Sequence, residues 1–393
     1  MNRINTMIYL DNSATTPLSD SVKRRITEVM EQYGNPSSLH PLGQSAEAVV
    51  EEARTRVLRA LGLRPRSTEG RLFFTSSGTE ATALAIFGSA YAKKRRSALR
   101  ILCTDSEHPS VLRAMDRLSE DGFEIVKIPT HGGVLDMNAL KNALDKPILL
   151  ASFMLVNNET GAVYSVAEAF RAVKRVCPDA LCHCDAVQGF MKLPFTPAAL
   201  SSDMITVSAH KIHAPKGVGA LYVSEAVLKA KKLIPFLVGG GQESGMRSGT
   251  ENVLGIAAFG EAAEELRLSR ESTRKTVEEL RVYADEKLSS LPLRINCPEG
   301  DFLPNIINIT LPNVKSETML HALSADGICV SSGSACSSHA KTPSGALIAF
   351  GLSPEEADCS LRISLSHYNT KEEIDALCAS LEKNLDRLVR IRR

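Results

Sequence analysis

The sequence predicts an α/β fold with a mainly parallel sheet, and three observations support this prediction. Short apolar runs recur along the first 225 residues, helical patterns separate several of them, and no internal repeat or low-complexity tract interrupts the alternation. Strands that alternate with helices in this way are typical of parallel sheets. Ligands of such sheets bind at the carboxyl ends of the strands, so functional side chains are expected there.

Seven apolar runs are predicted to be buried strands of one large domain with a mainly parallel seven-stranded sheet. They span residues 71–76, 98–104, 123–128, 147–155, 180–185, 203–208 and 219–224. Helical patterns lie between several of them, at residues 80–95, 109–121 and 166–176.

The pattern changes after residue 250, and a second, smaller α+β domain is predicted there. Residues 251–290 indicate one long helix or two, and a charged helix is expected from 370 to about 390. Shorter strand candidates lie between these helices, at 305–311, 327–332 and 361–365. We expect the large domain to span residues 19–262, and the small domain to combine residues 1–18 with 263–393.

The composition excludes several classes of protein. The net charge of +1, from 46 basic and 45 acidic residues, gives no electrostatic reason to expect direct binding to nucleic acid or to an anionic membrane. No apolar run is long enough for a transmembrane helix, and the first residues lack the pattern of a signal peptide. Nine cysteines without framework spacing favour a reduced, cytoplasmic setting.

One strand, at residues 180–185, ends in the carboxylate of Asp185, with Gln188 three residues further on. Because side chains alternate along a strand, His183 shares a face with Asp185, while Cys182 and Cys184 face the other way. No second Cys/His cluster supplies further ligands, so the sequence favours two small buried side chains over a zinc site, and no metal is expected.

The next predicted strand runs into SAHKIHAPKG, where Lys211 follows Ser208 and His210. A lysine in a loop is usually a solvated charge. Burial behind a strand lowers the pKa of a lysine and makes its amine available for Schiff-base chemistry.

A third feature is the turn Ser76–Thr79 between a strand and a helix, which offers backbone N–H groups and hydroxyls to an anion. An ordinary helix cap would look the same. Neither a Walker P-loop nor the dinucleotide motif G-x-G-x-x-G is present. A phosphate cradle, a carboxylate and a reactive lysine together match the requirements of pyridoxal 5′-phosphate.

The Ser- and Gly-rich stretch VSSGSACSSH, residues 330–339, holds a single thiol, Cys336. Its neighbours make a poor core and a good mobile loop, so Cys336 is either a packing residue or a nucleophile.

These stretches, in their order, resemble the cysteine desulfurases of the NifS/IscS type, within the fold-type I pyridoxal-phosphate enzymes. The similarity covers nearly the whole chain. It rests on YLDNSATTP (9–17), GNPSSLH (34–40), FTSSGTEATALA (74–85), SEHPSV (106–111), VNNETG (156–161), CDAVQ (184–188), SAHKIHAPKGVGALYV (208–223), GGGQESGMRSGTEN (239–252), SSGSACSS (331–338) and LRISL (361–365).

The resemblance implies a role for each matching residue. Lys211 corresponds to the lysine that binds the cofactor, Asp185 to the partner of the pyridine nitrogen, and Gln188 to the partner of the ring's phenolate oxygen. His108 corresponds to the histidine that stacks on the ring and shuttles protons. The phosphate-binding set corresponds to Gly78, Thr79, Ser208 and His210.

The remaining correspondences concern the substrate and the partner subunit. Asn158 and Arg362 match residues that hold the substrate carboxylate, and an arginine fork suits that task. Thr250 matches a threonine that reaches the phosphate from the other subunit, so the resemblance implies a homodimer with shared sites.

The resemblance also implies the reaction. Cys336 corresponds to the thiolate that takes sulfur from L-cysteine, becomes a persulfide and passes the sulfur to an acceptor, such as an iron–sulfur scaffold protein or a tRNA-thiolation enzyme. The loop at about 330–345 falls with the long-loop group of the family.

One departure from the family pattern and one alternative reaction remain to be considered. The pair His213–Ala214 stands where tyrosine–glycine is more usual in the family. A different pyridoxal-phosphate reaction on the same fold, such as that of an aminotransferase or a selenocysteine lyase, is an alternative that the fold does not exclude.

Overall fold

The computed structural model describes residues 7–64, 68–92, 99–333 and 343–388. Its β-strands are, in chain order, β1 (Ile8–Tyr9), β2 (Gly70–Thr75), β3 (Arg100–Thr104), β4 (Glu124–Ile128), β5 (Ile148–Met154), β6 (Leu181–Asp185), β7 (Met204–Ser208), β8 (Gly219–Ser224), β9 (Arg294–Ile295), β10 (Ile306–Thr310), β11 (Ile328–Cys329) and β12 (Ser360–Ser364).

The α-helices are α1 (Asp20–Met30), α2 (Pro41–Ala60), α3 (Gly78–Ala90), α4 (Pro109–Glu120), α5 (Met137–Ala143), α6 (Val166–Val176), α7 (Pro197–Leu200), α8 (Glu225–Lys229), α9 (Val253–Leu268), α10 (Arg270–Ser289), α11 (Ser316–Ala325), α12 (Gly345–Phe350), α13 (Pro354–Asp358) and α14 (Lys371–Arg387). Among the described residues, none of these helices is both long and apolar enough to cross a membrane.

Seven strands form the large sheet in the order β2-β8-β7-β6-β5-β3-β4. Strand β8 is antiparallel to both of its neighbours, and the other pairs are parallel. The seven predicted strands are therefore all confirmed, with ends that differ from the prediction by up to two residues. The parallel part places the carboxyl ends of β5, β6 and β7 side by side.

Helices cover both faces of this sheet, because its central strands are buried on both sides. Helix α3 is apolar around most of its circumference and packs on one face together with α4. The other face is covered by α6, α2 and α9. Gly260 of α9 lies so close to α2 that a Cβ there would come within 2.6 Å of the Cα of Ala53, which explains a glycine at that contact.

A smaller antiparallel sheet has the order β12-β10-β9. Helices α10, α11 and α14 pack on it around Leu280, Ile309 and Leu381, in a core separate from that of the large sheet. The predicted strand 327–332 is shorter than expected, because the chain changes partners. Its first half, β11, pairs with β1, and Ser331 then bridges to Arg362 of β12.

The two cores support the proposed division of the chain. Leu266, four residues beyond the predicted boundary at 262, still belongs to the core of the large sheet, and Leu280 and Leu10 belong to that of the smaller sheet. We therefore propose that the small domain combines the two ends of the chain, and that the large domain, predicted to span residues 19–262, includes the whole of α9.

Candidate active site

A cavity of about 170 Å³ lies at the carboxyl ends of the parallel strands. The predicted site residues that line it are Gly78, Thr79, His108, Asn158, Asp185, Gln188, Ser208, His210, Lys211 and Arg362. Two others are not among them. Thr250 is exposed and does not line this cavity, and Cys336 lies outside the described residues, as does most of the predicted loop at 330–345.

One wall of the cavity is the N-terminus of α3. Ser77 caps the helix, since its hydroxyl accepts from the N–H of Glu80 at 3.2 Å. A Cβ on Gly78 would lie 3.1 Å from Val187 Cγ2 and 3.3 Å from Ser208 Cβ, so a side chain would fill the space in front of the helix. The first N–H groups of a 13-residue helix and its positive dipole end therefore face a space kept open by glycine.

Asp185 is buried at the last position of β6. Burial raises the pKa of its carboxyl to about 6, while the N–H of Val187, which donates to Oδ1 at 3.0 Å, and the charge of Lys211 act in the opposite direction. A cationic partner in the cavity, such as a protonated ring nitrogen, would favour the charged carboxylate.

His183, two residues earlier, is fully used by the sheet. Its Nδ1 lies 2.8 Å from the Ser152 hydroxyl and its Nε2 lies 2.9 Å from the Thr206 hydroxyl. Cys182 and Cys184 belong to the hydrophobic core, as predicted. Among the described residues, no group of three or more His, Cys, Asp or Glu side chains is placed to hold a metal ion.

Lys211 ends a short 3₁₀ turn that follows β7 directly. Its ammonium donates to the carbonyl oxygens of Ser13 at 2.5 Å and Ala14 at 2.8 Å. The side-chain amide of Gln188 donates to the same Ser13 carbonyl at 3.0 Å. The N-terminal segment therefore holds the lysine and the glutamine at one point of the cavity.

His108 is the N-cap of α4, and its Nδ1 accepts from the N–H of Ser110 at 3.1 Å. Its pKa is lowered to about 4, chiefly by burial and also by the charge of Lys211. The imidazole is therefore neutral near pH 7 with its proton on Nε2, which suits a ring that stacks on a cofactor and moves a proton.

Arg362 is buried in the middle of β12 and joins the two domains at the cavity. It donates to the carbonyl oxygen of Asn158 and to Asp11 Oδ1, both at 2.8 Å. Within the described residues its Nε has no partner. Each of the two terminal nitrogens makes one of these hydrogen bonds, so the guanidinium has a fixed orientation, as is needed to bind a carboxylate in a defined position.

Sequence reasoning missed several groups of this site. The carbonyls of Ser13 and Ala14 line the cavity, and the motif at 9–17 was the only signal of them. Glu107, which directly precedes His108 in the chain but is not part of the cavity lining, was missed as well. It is buried, accepts from the Thr104 hydroxyl at 2.8 Å and from the N–H of Met154 at 2.9 Å, and burial raises its pKa to about 8.

His213, where the sequence departs from the usual family pattern, lies behind Lys211. Its backbone has a φ of +67°, a conformation that few residues other than glycine adopt. Its Nδ1 is 2.9 Å from the carbonyl oxygen of Pro17, and its ring packs edge-on against that of Tyr368 at 4.9 Å. These contacts hold a histidine in a position where glycine-like backbone is needed.

The chemistry of the lining fits pyridoxal phosphate. A glycine-opened helix N-terminus suits the phosphate, the carboxylate of Asp185 suits a protonated ring nitrogen, and the amine of Lys211 suits an aldehyde. The Ser13 hydroxyl is buried without a hydrogen-bond partner among the described residues, so the cavity offers a ligand one further polar group.

Comparisons with known proteins agree with this geometry. Residues 8–377 match the family described as Aminotransferase class-V. The chain is 38% identical to a cysteine desulfurase of Trichormus azollae over 387 residues, which cover 98% of this chain and 94% of the relative. Among solved structures, a NifS-like protein from Rickettsia africae is similar with a TM-score of 0.87 and 34% identity, over 97% of this chain and 99% of that chain.

A further solved structure, of SspA in complex with cysteine, is similar with a TM-score of 0.78 and 28% identity, over 92% of this chain and 99% of that chain.

Proposed function

Because the chain belongs to the class-V aminotransferase family, as one of its pyridoxal-phosphate-dependent cysteine desulfurases, we propose that it moves sulfur from L-cysteine to Cys336 in the cavity at the sheet edge. The observation that carries this proposal is the shared lining: the amine of Lys211, the carboxylate of Asp185, the α3 N-terminus and the Arg362 fork face one space.

The phosphate and ring of the cofactor have separate partners in the proposal. Gly78, Thr79, Ser208 and His210 bind the phosphate, and Asp185 and Gln188 hold the ring nitrogen and the phenolate oxygen. When bound through Lys211, pyridoxal phosphate supplies an electron sink that stabilises negative charge on the substrate's carbon skeleton.

The substrate is held by its carboxylate, between Arg362 and Asn158. Neutral His108, with its proton on Nε2, exchanges a proton with the substrate at the ring face. The amine of Lys211 would be the second proton-transfer group, because it lines the same cavity as His108.

The sulfur step balances without an external oxidant. The Cys336 thiolate attacks the substrate sulfur, so that an S–S bond forms and the C–S bond of the substrate breaks. The carbon that loses sulfur takes up a proton and leaves as L-alanine, while Cys336 is left as a persulfide.

We further propose that the enzyme acts as a homodimer in the cytoplasm, with Thr250 of each subunit completing the phosphate site of the other. The persulfide then passes to an acceptor protein, such as an iron–sulfur scaffold or a tRNA-thiolation enzyme. Thr250 is exposed and is not part of the lining of the cavity in its own subunit, and both observations support this arrangement.

The test replaces Cys336 by Ala and, as a control, the exposed Cys297 by Ala. We expect Cys336→Ala to lose sulfide production from cysteine and reductant by at least about a hundredfold while keeping the absorbance of the bound cofactor. Cys297→Ala should behave as the wild type. Unchanged turnover in Cys336→Ala would instead favour the alternative, another pyridoxal-phosphate reaction such as that of an aminotransferase or a selenocysteine lyase.

A further inference from the structure

The two ends of the segment that carries Cys336 meet at one buried carboxyl group. Gly333 precedes residues 334–342 and Ser344 follows them closely. A Cβ built on Gly333 would lie 3.2 Å from Oε2 of Glu159 and 3.9 Å from the Cβ of Ser344. Gly333 and Ser344, which flank residues 334–342 in the chain, therefore both lie next to the carboxyl group of Glu159.

Glu159 makes a direct bond to the returning end. Its Oε2 accepts from the Ser344 hydroxyl at 2.6 Å. The same hydroxyl caps α12, since it accepts from the N–H of Leu347 at 3.4 Å. One carboxylate oxygen thus fixes the residue that caps α12.

The other flanking stretch, residues 331–333, is held next to Glu159 by backbone hydrogen bonds. Ser331 exchanges two backbone hydrogen bonds with Arg362, at 2.7 and 3.1 Å. Gly333 then needs a φ of +83° to pass Glu159. Since Arg362 is the proposed substrate-binding arginine, the segment starts beside the substrate's carboxylate site.

The carboxyl group is itself held rigidly. Glu159 is only 5% exposed, its N–H donates to Asn157 Oδ1 at 2.9 Å, and its carbonyl oxygen accepts from Asn308 of β10 at 3.2 Å. It directly follows Asn158 in the chain. Glu159 therefore belongs to the large-sheet side of the cavity while its carboxylate reaches the small domain.

We propose that Glu159 is a positioning residue for the sulfur step. Its carboxylate binds Ser344 and packs against Gly333, and by keeping these two residues together it controls how readily the Cys336 thiol reaches the substrate sulfur. This inference rests on the proposed function of Cys336. Cys336 is three residues from Gly333 in the chain, so the covalent connection alone keeps its Cα within roughly 11 Å of that anchor. A short connection of this kind gives a group a high effective concentration at a site beside the anchor. If Gly333 moves away, that concentration falls, although the cofactor and substrate sites are unchanged.

The experiment compares Glu159→Ala with Glu159→Gln in the cofactor-loaded enzyme. The amide oxygen of glutamine still accepts the Ser344 hydroxyl, whereas alanine does not. In single-turnover mixing with L-cysteine, we expect Glu159→Ala to form alanine and persulfide at least roughly tenfold more slowly. Glu159→Gln should stay within about threefold of the wild type.

A second readout separates positioning from damage to the binding site. The affinity for cysteine, measured from the change in cofactor absorbance on mixing, should remain within about twofold of the wild type in both variants. If Glu159→Ala lost cysteine affinity by as large a factor as it lost transfer rate, the proposal would be overturned, because the effect would then be explained by a displaced Asn158. The proposal would also be overturned if Glu159→Ala transferred sulfur at the wild-type rate, or if Glu159→Gln were as slow as Glu159→Ala.

Ser344→Ala removes the same bond from the other side and keeps the proposal testable if Glu159→Ala does not fold. It should slow the transfer to a similar extent, and a double variant should be no slower than the single ones. If the losses of transfer rate added up in the double variant, the two residues would not act through one shared hydrogen bond. A wild-type enzyme that forms no persulfide on Cys336 would instead refute the proposed function, so the two failures are distinguishable.

Discussion

At the scale of single residues, burial sets the protonation of the groups around the cavity. It lowers the pKa of His108 to about 4 and raises those of Asp185 to about 6 and Glu107 to about 8. Each shift disfavours the charged form, as expected where water is excluded. The imidazole is thereby kept neutral for proton transfer, and Glu107 is a neutral acid beneath the site at physiological pH.

The protonation of Glu107 predicts a pH-dependent stability. Its pKa is above that of an unfolded chain, so the stability it contributes is complete below about pH 4.5 and is lost as the pH rises towards 8. Glu107→Gln cannot ionise. We expect the free energy of unfolding of Glu107→Gln to increase relative to that of the wild type as the pH rises, by at most about 1.4 kcal/mol per pH unit in that interval.

Urea denaturation at pH 5, 6, 7 and 8, at one protein concentration, measures this difference. Glu47→Gln, at an exposed position of α2, is the matched control and should differ from the wild type equally at every pH. A Glu107→Gln difference that is flat with pH would show that the buried carboxyl is ionised in the folded protein.

The buried fork of Arg362 leads to a second prediction. A lysine there has one point charge in place of two parallel donors, and it leaves either Asn158 or Asp11 without a partner. We expect Arg362→Lys to raise the KM for cysteine at least about tenfold, with a smaller change in kcat. Steady-state kinetics checks this, with the exposed Arg113→Lys as control. A KM within twofold of the wild type would remove Arg362 from the substrate site.

The sequence was informative about those residues whose place follows from chain order. Asp185 and Lys211 each come directly after an apolar run, and strand ends of a parallel sheet meet at one edge. Glu107 and the carbonyls of Ser13 and Ala14 could not be derived in this way. Their roles depend on where the N-terminal segment and the α4 cap come to lie, which is a tertiary property without a local pattern.

At the scale of elements, the start of α3 depends on the neighbouring strand. A Cβ on Gly219 of β8 would lie 2.3 Å from the carbonyl carbon of Ser77 and 2.6 Å from the N of Gly78. These are backbone atoms and cannot turn aside. The strand and the helix N-terminus therefore approach as closely as they do only because residue 219 lacks a side chain.

This close approach predicts the effect of Gly219→Ala. The substitution must displace the Ser77–Gly78 peptide, and with it the N–H groups proposed to bind the phosphate. We expect the affinity of the apoprotein for pyridoxal phosphate, titrated by absorbance, to fall at least about tenfold.

Gly122→Ala is the matched control for that experiment. Gly122 has a φ of +87°, and among the described residues no heavy atom lies within 4 Å of a Cβ built there. It should cost about 1 kcal/mol of stability and leave the cofactor affinity unchanged. Equal affinity losses in both variants would point to general destabilisation rather than to a displaced cradle.

Elements with a strong local pattern were predicted well, and those defined by their partners were not. The strands of the large sheet are continuous apolar runs because helices bury both faces, and this signal is local. The predicted strand at 327–332 is shorter than expected, because the chain changes its pairing partner from β1 to β12, and strand pairing cannot be deduced from six residues of sequence. Helices α1 and α2 were not predicted, although Val50, Ala53 and Val57 of α2 recur at helical spacing.

At the scale of the whole molecule, exposed apolar side chains support the proposed dimer. Leu39 is 91% exposed, and Tyr33 and Val238 are each 80% exposed. Leu39 and Val238 flank segments that share a groove, which is lined by Pro36 and Ser37 on one side and by residues 241–244 on the other. Glu251, the neighbour of Thr250 in the chain, also lines this groove. Large exposed apolar residues that flank a groove in this way are what a subunit interface would cover.

A dimer with shared sites predicts that two inactive variants restore each other. Lys211→Ala lacks the cofactor lysine, and Thr250→Asp places a negative charge against the phosphate proposed to lie in the other subunit. In a mixed dimer, one site combines both changes, while the other combines the intact Lys211 of one subunit with the intact Thr250 of its partner. Co-expression with two affinity tags, followed by tandem purification, gives this hybrid.

We expect each variant homodimer to have less than about a hundredth of the wild-type turnover, and the hybrid to recover close to half of it, because one of its two sites is complete. Thr250→Ser, which keeps the hydroxyl, is the control and should remain active as a homodimer. Light scattering and cofactor absorbance on the same samples confirm assembly and loading. A correctly assembled hybrid without recovered activity would mean that Thr250 does not complete the site of the partner subunit.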